Sequence, residues 1–450
     1  MTAQSSSKAT DAGRRDFLKS SSVLVAGGAI ASGFHTAYGA DGFGDQKIKI
    51  GLVGCGGRGT GAAAQAMNTM KKEFSPNGKV ELAAMADVFQ DRMDSSLNNL
   101  KRQHGDSVTV SDSSKFIGLE AYKQVMESDV DLVILTTPPG FRPLHFDAAV
   151  AAGKHVFMEK PVATDSAGVR RVLAVSEIAK KKGLAVAVGL QRHHEPRYTE
   201  GVKRVQDGAI GDVLFTRVYW NGRGVWTRPR KEGQTELEYQ LQNWYYFNWL
   251  CGDHINEQHI HNLDVGNWVV GDYPTQVNGM GGRQVRTSKE HGEIYDHHFC
   301  EYTYANGVKM YSQCRHQPNC FNSVSEYAHG TKGVALLSRA KIEDNDGNEI
   351  WSYGRGGGGG HQEEHYNLFA DIRQGKIPNE AEYGAKSTMT AIMGRMATYS
   401  GKVVEWDDAI NSKIALADFD NITKYTDTAP VQPNEDLTYN IPMPGRTRVI

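Results

Sequence analysis

Ile48-Lys49-Ile50-Gly51-Leu52-Val53-Gly54-Cys55-Gly56-Gly57-Arg58-Gly59 runs almost directly into Ala62-Ala63-Ala64-Gln65-Ala66-Met67. An apolar-rich stretch of strand length, a glycine loop and a run of strong helix formers follow one another. A lone G-x-G-x-x-G says little, but in this order it predicts the strand, tight turn and helix of a dinucleotide-binding unit. Gly54 permits the turn, Gly56 lets the backbone approach a pyrophosphate, and Gly59 allows close packing of helix on strand, with Gly57 and Arg58 completing the loop. The helix start then offers unpaired N–H groups to phosphate.

Working outward, Val80 to Met85 reads as a second strand ending at Asp87, 33 residues beyond Gly54. That exceeds the spacing of about 20 usual for a ribose-binding acid, and the polar insert from Lys71 to Lys79 accounts for the excess. A carboxylate at this point accepts hydrogen bonds from a ribose 2′-OH and repels a 2′-phosphate. NAD is therefore favoured over NADP, a preference that Arg58 and Arg92 nearby keep modest. A third strand, Asp131 to Thr136, leads into Thr137-Pro138-Pro139, with a helix from near Pro143. His155 to Met158 reads as a fourth strand ending in Glu159-Lys160-Pro161, followed by a helix from Asp165 to Lys182 and a strand from Leu184 to Leu190. Strands alternating with helices imply right-handed βαβ units and a parallel sheet. Ligands of such sheets sit beyond the carboxyl ends of the strands. Gly54, Asp87, Thr137, Lys160 and Gln191 all fall there and are expected around one crevice.

With 450 residues the chain is long enough for two domains and a targeting segment. Its 50 Lys+Arg against 52 Asp+Glu leave a formal charge of −2, so no basic surplus points to nucleic acid. Hydrophobic residues at 39% and charged ones at 23% describe an ordinary soluble protein, and no apolar run approaches the roughly 18 residues of a membrane span. Five cysteines, an odd number, make no disulfide framework. Cys314 and Cys320 are close enough in sequence to pair, and two free thiols is the preferred reading. At the start, Gly13-Arg14-Arg15-Asp16-Phe17-Leu18-Lys19, a short apolar stretch from Val23 to Ala31 and Ala37-Tyr38-Gly39 form the three parts of an export signal. The paired arginines resemble the twin-arginine type. Residues 1–40 are thus expected to be a leader, 46–191 a Rossmann NAD(P)-binding domain and 192–450 an α/β substrate-binding domain whose C-terminal helices are free to pack back on the first. A periplasmic or secreted location follows from the leader.

Beyond Val213, Leu214 to Trp220, Phe299 to Tyr304, Val308 to Gln313 and Val334 to Leu337 read as strands joined by short turns such as Ala305-Asn306-Gly307, an antiparallel habit. His361 to Gln374 and Ala385 to Ser400 are helix-like; Gly356 to Gly360 is a glycine run best read as a linker. Between them lies Gly252-Asp253-His254-Ile255-Asn256-Glu257-Gln258-His259-Ile260-His261-Asn262-Leu263-Asp264. As one helix capped by Asp253, it gathers His254, Glu257, His261 and Asp264 into an arc of roughly 80°. Such a stripe of imidazoles and carboxylates suits acid–base work. A zinc site is the lesser alternative and is not adopted, because the spacing matches no zinc-binding helix. Residues 219–250 hold nine aromatics where the chain-wide 9% predicts about three, and flat rings such as Trp226 and Trp244 suit the C–H faces of sugars. Half of them are expected in the domain's own core. Gln191-Arg192-His193-His194 follows the last strand of the first sheet, so Arg192 and His193 are candidates for substrate contact, with His254.

The chain resembles the Gfo/Idh/MocA oxidoreductase family. The likeness rests on the glycine loop, on Thr137-Pro138 followed by His145, and on Ala152-Gly153-Lys154-His155-Val156 running into Glu159-Lys160-Pro161. It implies a Rossmann domain, a second α/β domain with an open, mainly antiparallel sheet, and a bound nicotinamide cofactor used on the hydroxyl or carbonyl carbon of a sugar or cyclitol; export, where no free NAD pool is expected, adds that the NAD is held tightly. The likeness adds Thr137, Pro138, His145 and Glu159 to the cofactor-binding candidates. It also places Lys160 and a histidine at the reacting carbon. The best match to the family's D-x-x-x-H pair is Glu257 with His261, Glu standing where the family has Asp. His261 is then the expected base, Glu257 its orienting partner and Lys160 the cation that stabilises the developing alkoxide, with exchanged roles for Lys160 and His261 as the alternative. Some relatives cleave glycosides by transient ring oxidation, elimination and re-reduction, which is the second functional reading; a nucleotide binder without catalysis is the third. Expected partners are a small sugar or glycoside, the twin-arginine export machinery and further copies of the same chain, with no nucleic acid.

Overall fold

Runs of aliphatic residues separated by helices are laid out as two sheets. The computed structural model describes residues 42–450 apart from 72–78, 355 and 357. The leader expected over residues 1–40 therefore lies outside the described residues, as does most of the insert after the first helix.

The first sheet contains β1 (Ile48–Val53), β2 (Val80–Asp87), β3 (Lys115–Ile117), β4 (Leu132–Leu135), β5 (His155–Met158) and β6 (Val186–Val188) in the order β3-β2-β1-β4-β5-β6. Every pairing is parallel. Its central strand β4, Leu-Val-Ile-Leu, is buried throughout, as a strand covered on both faces by helices must be. The intervening helices are α1 (Gly57–Asn68), α2 (Gln90–His104), α3 (Ala121–Glu127), α4 (Arg142–Ala151) and α5 (Ser166–Lys181). Strand order and connectivity are those of a Rossmann fold, with the topological switch between β1 and β4.

After α6 (Pro196–Gln206) comes a nine-stranded sheet in the order β14-β13-β12-β11-β7-β10-β9-β8-β15. Its strands are β7 (Val213–Gly222), β8 (Gln276–Gly282), β9 (His297–Thr303), β10 (Lys309–His316), β11 (Ser323–Gly330), β12 (Gly333–Leu336), β13 (Lys341–Asp344), β14 (Glu349–Ser352) and β15 (Val404–Glu405). All neighbours are antiparallel except β7 and β10. Between β7 and β8 lie α7 (Glu236–Gln242), α8 (Asn248–Cys251), α9 (His254–Glu257) and α10 (Ile260–Val270). The chain later adds α11 (Gly360–Arg373), α12 (Ala381–Ser400) and α13 (Trp406–Ile410).

Strand β8 escapes sequence reading because three of its seven residues are glycine, a residue that weakens strands. The glycines are needed for closeness: a Cβ on Gly279 would stand 2.7 Å from the Phe299 carbonyl oxygen and 3.0 Å from Thr398 of α12. All five cysteines are free, Cys314 buried and Cys320 exposed. No helix among the described residues is long and apolar enough to cross a membrane.

Candidate active site

The glycine loop is crowded beneath and open above. A Cβ on Gly54, whose φ is +98°, would lie 2.7 Å from the Thr137 backbone nitrogen, and one on Gly59 would lie 2.0 Å from the Gly54 carbonyl oxygen. At Gly56 and Gly57 nothing stands within 4 Å of that position. No side chain caps the start of α1, and with open space beside it this helix N-terminus fits the pyrophosphate of a dinucleotide.

Asp87 ends β2 against this loop, its carboxylate accepting from the Cys55 N–H at 2.6 Å and the Phe89 N–H at 2.8 Å. Burial raises its pKa against the pull of those donors and of Arg92. Arg58 turns away from it. Its guanidinium donates to Glu159, to Gln65 at 2.7 Å and to Glu364 at 3.1 Å, so of the two arginines expected to soften the nucleotide preference only Arg92 acts on Asp87. A hydrogen bond to a charged group is worth about 1.5–3 kcal/mol, so Asp87→Ala should narrow the NAD-over-NADP binding ratio by about tenfold or more. Fluorescence titration of both nucleotides measures this, and an unaltered ratio would remove Asp87 from ribose recognition.

Thr137 is held from behind by a hydrogen bond of 3.1 Å between its hydroxyl and His145 Nδ1. His145 itself is buried against Tyr122 and Phe141, and burial pushes its pKa down to about 3. It therefore supports Thr137 and Pro138 as a neutral ring and offers little surface of its own.

At the end of β5, Glu159 is buried and holds Arg58, while Lys160 reaches α9. Lys160 Nζ donates to the Glu257 carbonyl oxygen at 2.5 Å and stands 3.3 Å from its carboxylate. Burial raises the Glu257 pKa although Lys160 and Tyr245 oppose it. His261, 6% exposed, stacks on Trp220 with ring centroids 6.0 Å apart, and its Nδ1 has no hydrogen-bond partner. Burial first, then the Lys160 cation, hold its pKa well below the ordinary value. The imidazole is thus neutral near pH 7 and within electrostatic reach of Lys160.

The single helix expected over residues 252–264 is broken at Gln258 and His259, between α9 and α10. Tertiary hydrogen bonds override the helical period: Asn256 donates to the Ala163 carbonyl at 3.0 Å, Gln258 meets His316 at 3.0 Å, and His259 meets Ser312 at 2.7 Å. The one-face stripe is dissolved by this break. Glu257 faces Lys160 and forms no hydrogen bond with His261, which corrects its expected orienting role. His254 has no exposed surface; it packs between His316 and His298, with ring centroids 4.5 and 4.8 Å away, and is not placed for substrate contact. Asp264 instead accepts from Ser387 at 2.7 Å and pairs with His193 at 2.8 Å.

The turn after β6 is likewise tied inward. Arg192 is buried and paired with Glu326, and His193 is stacked on Trp268 at 4.2 Å and Tyr383 at 4.7 Å. Both side chains are engaged in contacts within the protein, Arg192 buried and His193 20% exposed. Trp226 is 39% exposed and lies edge-on to Trp244 and Tyr245 at 6.0 and 6.3 Å. Tyr245, one of the aromatics of residues 219–250, is buried with its hydroxyl lacking a hydrogen-bond partner, and nothing in its local sequence distinguishes it from Trp244.

Beneath the site, Asp253, His254 and His298 have potential ligand atoms within 4.8 Å of one another. The Asp253 carboxylate is already engaged: it accepts from the His254 backbone N–H at 2.5 Å, His254 Nδ1 at 2.8 Å, the Tyr295 N–H at 2.9 Å and the Tyr399 hydroxyl at 2.5 Å. Burial would raise its pKa, but His298 and His254 hold it well below the ordinary carboxylate value. A depressed pKa stabilises the fold fully above the unfolded value near 4 and loses that contribution as pH falls toward the folded value. Asp253→Asn, which breaks a buried charge network, should cost about 3–5 kcal/mol near pH 7. The difference from the parent protein in thermal unfolding should shrink below pH ~4; equal melting temperatures at pH 7 would refute this.

Two family profiles match the chain. One, described as oxidoreductase family, NAD-binding Rossmann fold, covers residues 48–190, and one described as GFO/IDH/MocA C-terminal domain covers 199–336. Inositol 2-dehydrogenase of Acidothermus cellulolyticus is 23% identical over 56% of this chain and 61% of its own length. Inositol 2-dehydrogenase/D-chiro-inositol 3-dehydrogenase of Lactiplantibacillus plantarum is 24% identical over 53% and 57%. The chain thus matches about three fifths of the length of these curated relatives. Among solved structures, levoglucosan dehydrogenase in complex with NADH and levoglucosan superposes with a TM-score of 0.63 at 17% identity, over 80% of this chain and 99% of that one. Aldose-aldose oxidoreductase from Caulobacter crescentus, complexed with glycerol, gives 0.61 at 19% identity over 80% and 99%. At such identities the structural likeness is one of fold.

Proposed function

Because this chain belongs to the Gfo/Idh/MocA oxidoreductase family, we propose that it is an NAD-dependent dehydrogenase acting on a CH–OH carbon of a sugar or cyclitol. The observation that carries the reading is the meeting of Lys160 and Glu257 at the end of β5, within electrostatic reach of a neutral His261, in a chain whose glycine loop is left open for a dinucleotide. The substrates named for its relatives, inositols and levoglucosan, support the same class.

When bound, NAD supplies the hydride acceptor. His261 receives the hydroxyl proton of the substrate on its neutral ring, the form that burial and Lys160 favour. Lys160 holds the reacting oxygen and stabilises the alkoxide charge as it develops, while Glu257 keeps the ammonium in place through its carbonyl and carboxylate oxygens. Trp220 and Trp226, both partly exposed, offer flat faces to the ring.

A panel of cyclitols, aldoses and alkyl glycosides with NAD, followed at 340 nm, tests this. NADH formation with at least one of them is expected; no absorbance change across the panel, together with release of the aglycone from a nitrophenyl glycoside, would move the assignment to hydrolysis by transient oxidation. Export by the twin-arginine route, leaving the protein in the periplasm, accords with Arg14-Arg15 and with a cofactor loaded before translocation. Replacing both arginines by lysine should hold the protein in the cytoplasm, and unchanged export would refute it.

A further inference from the structure

Helix α11 follows β14 of the second sheet in the chain, yet its first turns lie on the helix of the glycine loop. Arg58 Nη2 donates to Glu364 Oε1 at 3.1 Å, Gln362 Nε2 donates to the Gln65 carbonyl at 3.0 Å, and Asn68 Nδ2 donates to Gln362 Oε1 at 3.1 Å. Glu364 is fully buried. Gly360 is pressed against the turn after β6 so closely that a Cβ there would stand 2.3 Å from the Gln191 carbonyl oxygen and 2.6 Å from Glu195 Cγ. Only glycine allows this approach, and His361 is the next residue.

The His361 side chain is 48% exposed, and its Nδ1 lies 3.7 Å from Glu364 Oε1, too far for a hydrogen bond. The charges around it are those of the crevice: Arg58 from the glycine loop, Glu159 and Lys160 from the end of β5, and Glu195. His261 in turn feels His361. An imidazole among these charges, on the helix that packs on the glycine-loop helix, has ring nitrogens able to serve a phosphate oxygen or a ribose hydroxyl.

We infer that the first turn of α11 is a retention clamp for the dinucleotide, with His361 contacting the bound nucleotide and the Arg58–Glu364 ion pair fastening the clamp to the glycine loop. The inference rests on the reading that a dinucleotide occupies that loop. Release of the nucleotide then requires α11 to part from α1, and the cofactor stays with the protein between turnovers. Arg58 thereby acts as a positioning residue, joining the loop to Glu159 on one side and to α11 on the other.

The test loads the full-length protein with NAD, removes free nucleotide by gel filtration, and measures the dinucleotide remaining after timed dialysis by mass spectrometry of the denatured protein. His361→Ala, which removes the nucleotide contact, and Glu364→Met, which removes the acceptor of Arg58, should each release it at least about tenfold faster. His361→Gln, which keeps a donor, should fall between His361→Ala and the parent. Release from His361→Ala at the parent rate overturns the clamp; this residue is half exposed, so its variant decides the matter even if Glu364→Met does not fold. Failure of the parent protein to bind NAD at all would instead overturn the cofactor reading and the clamp with it.

Discussion

Lys160→Met is expected to lower turnover by about 10²–10³, the usual cost of removing one donor from a developing oxyanion. Methionine keeps most of the side-chain volume and removes the charge. The ammonium is held by two oxygens of Glu257 with both side chains only 12% and 14% exposed, so its loss also leaves a buried carboxyl without its cation. Because the contact strengthens as the alkoxide forms, kcat and kcat/KM should fall together. Initial rates at 340 nm, normalised to bound nucleotide, measure this. Turnover within twofold of the parent would show that the chemistry takes place elsewhere.

His261→Ala should lose at least about a hundredfold in turnover while retaining bound nucleotide. The imidazole lies 6% exposed on Trp220, and burial and Lys160 depress its pKa. A base with a depressed pKa remains deprotonated down to that lower value. The parent rate should therefore stay level through pH 6–7, where an ordinary histidine of pKa about 6.5 would titrate, and the level region should change in the variant. Unchanged turnover in His261→Ala would pass the base role to Lys160.

The nucleotide-binding half was legible because its signals are local. The β4 run Leu132–Leu135, the tight turn at Gly54 and the helix formers after Gly59 each state their own conformation through side-chain sterics and backbone freedom. Asp87, Thr137 and Lys160 could be read as strand ends without any knowledge of the second sheet. The second half was read less fully. Strands β7, β9, β10 and β12 carry β-branched or aromatic residues, whereas β8 is a strand only because glycines let α12 approach it. The helical arc of His254, Glu257, His261 and Asp264 obeyed the right period for a helix that the fold interrupts.

Local sequence thus determined the Rossmann half, the residue types at its strand ends and the presence of a second sheet, since these depend on conformational preferences within a few residues. Only the tertiary structure decided which groups meet: Glu257 with Lys160 across 97 positions, Arg58 with Glu364 across 306, His254 with the buried Asp253 cluster. Hydrogen bonds and ion pairs formed in a desolvated interior outweigh helical periodicity there. Their partners are chosen by how distant segments pack, which no short stretch of chain encodes.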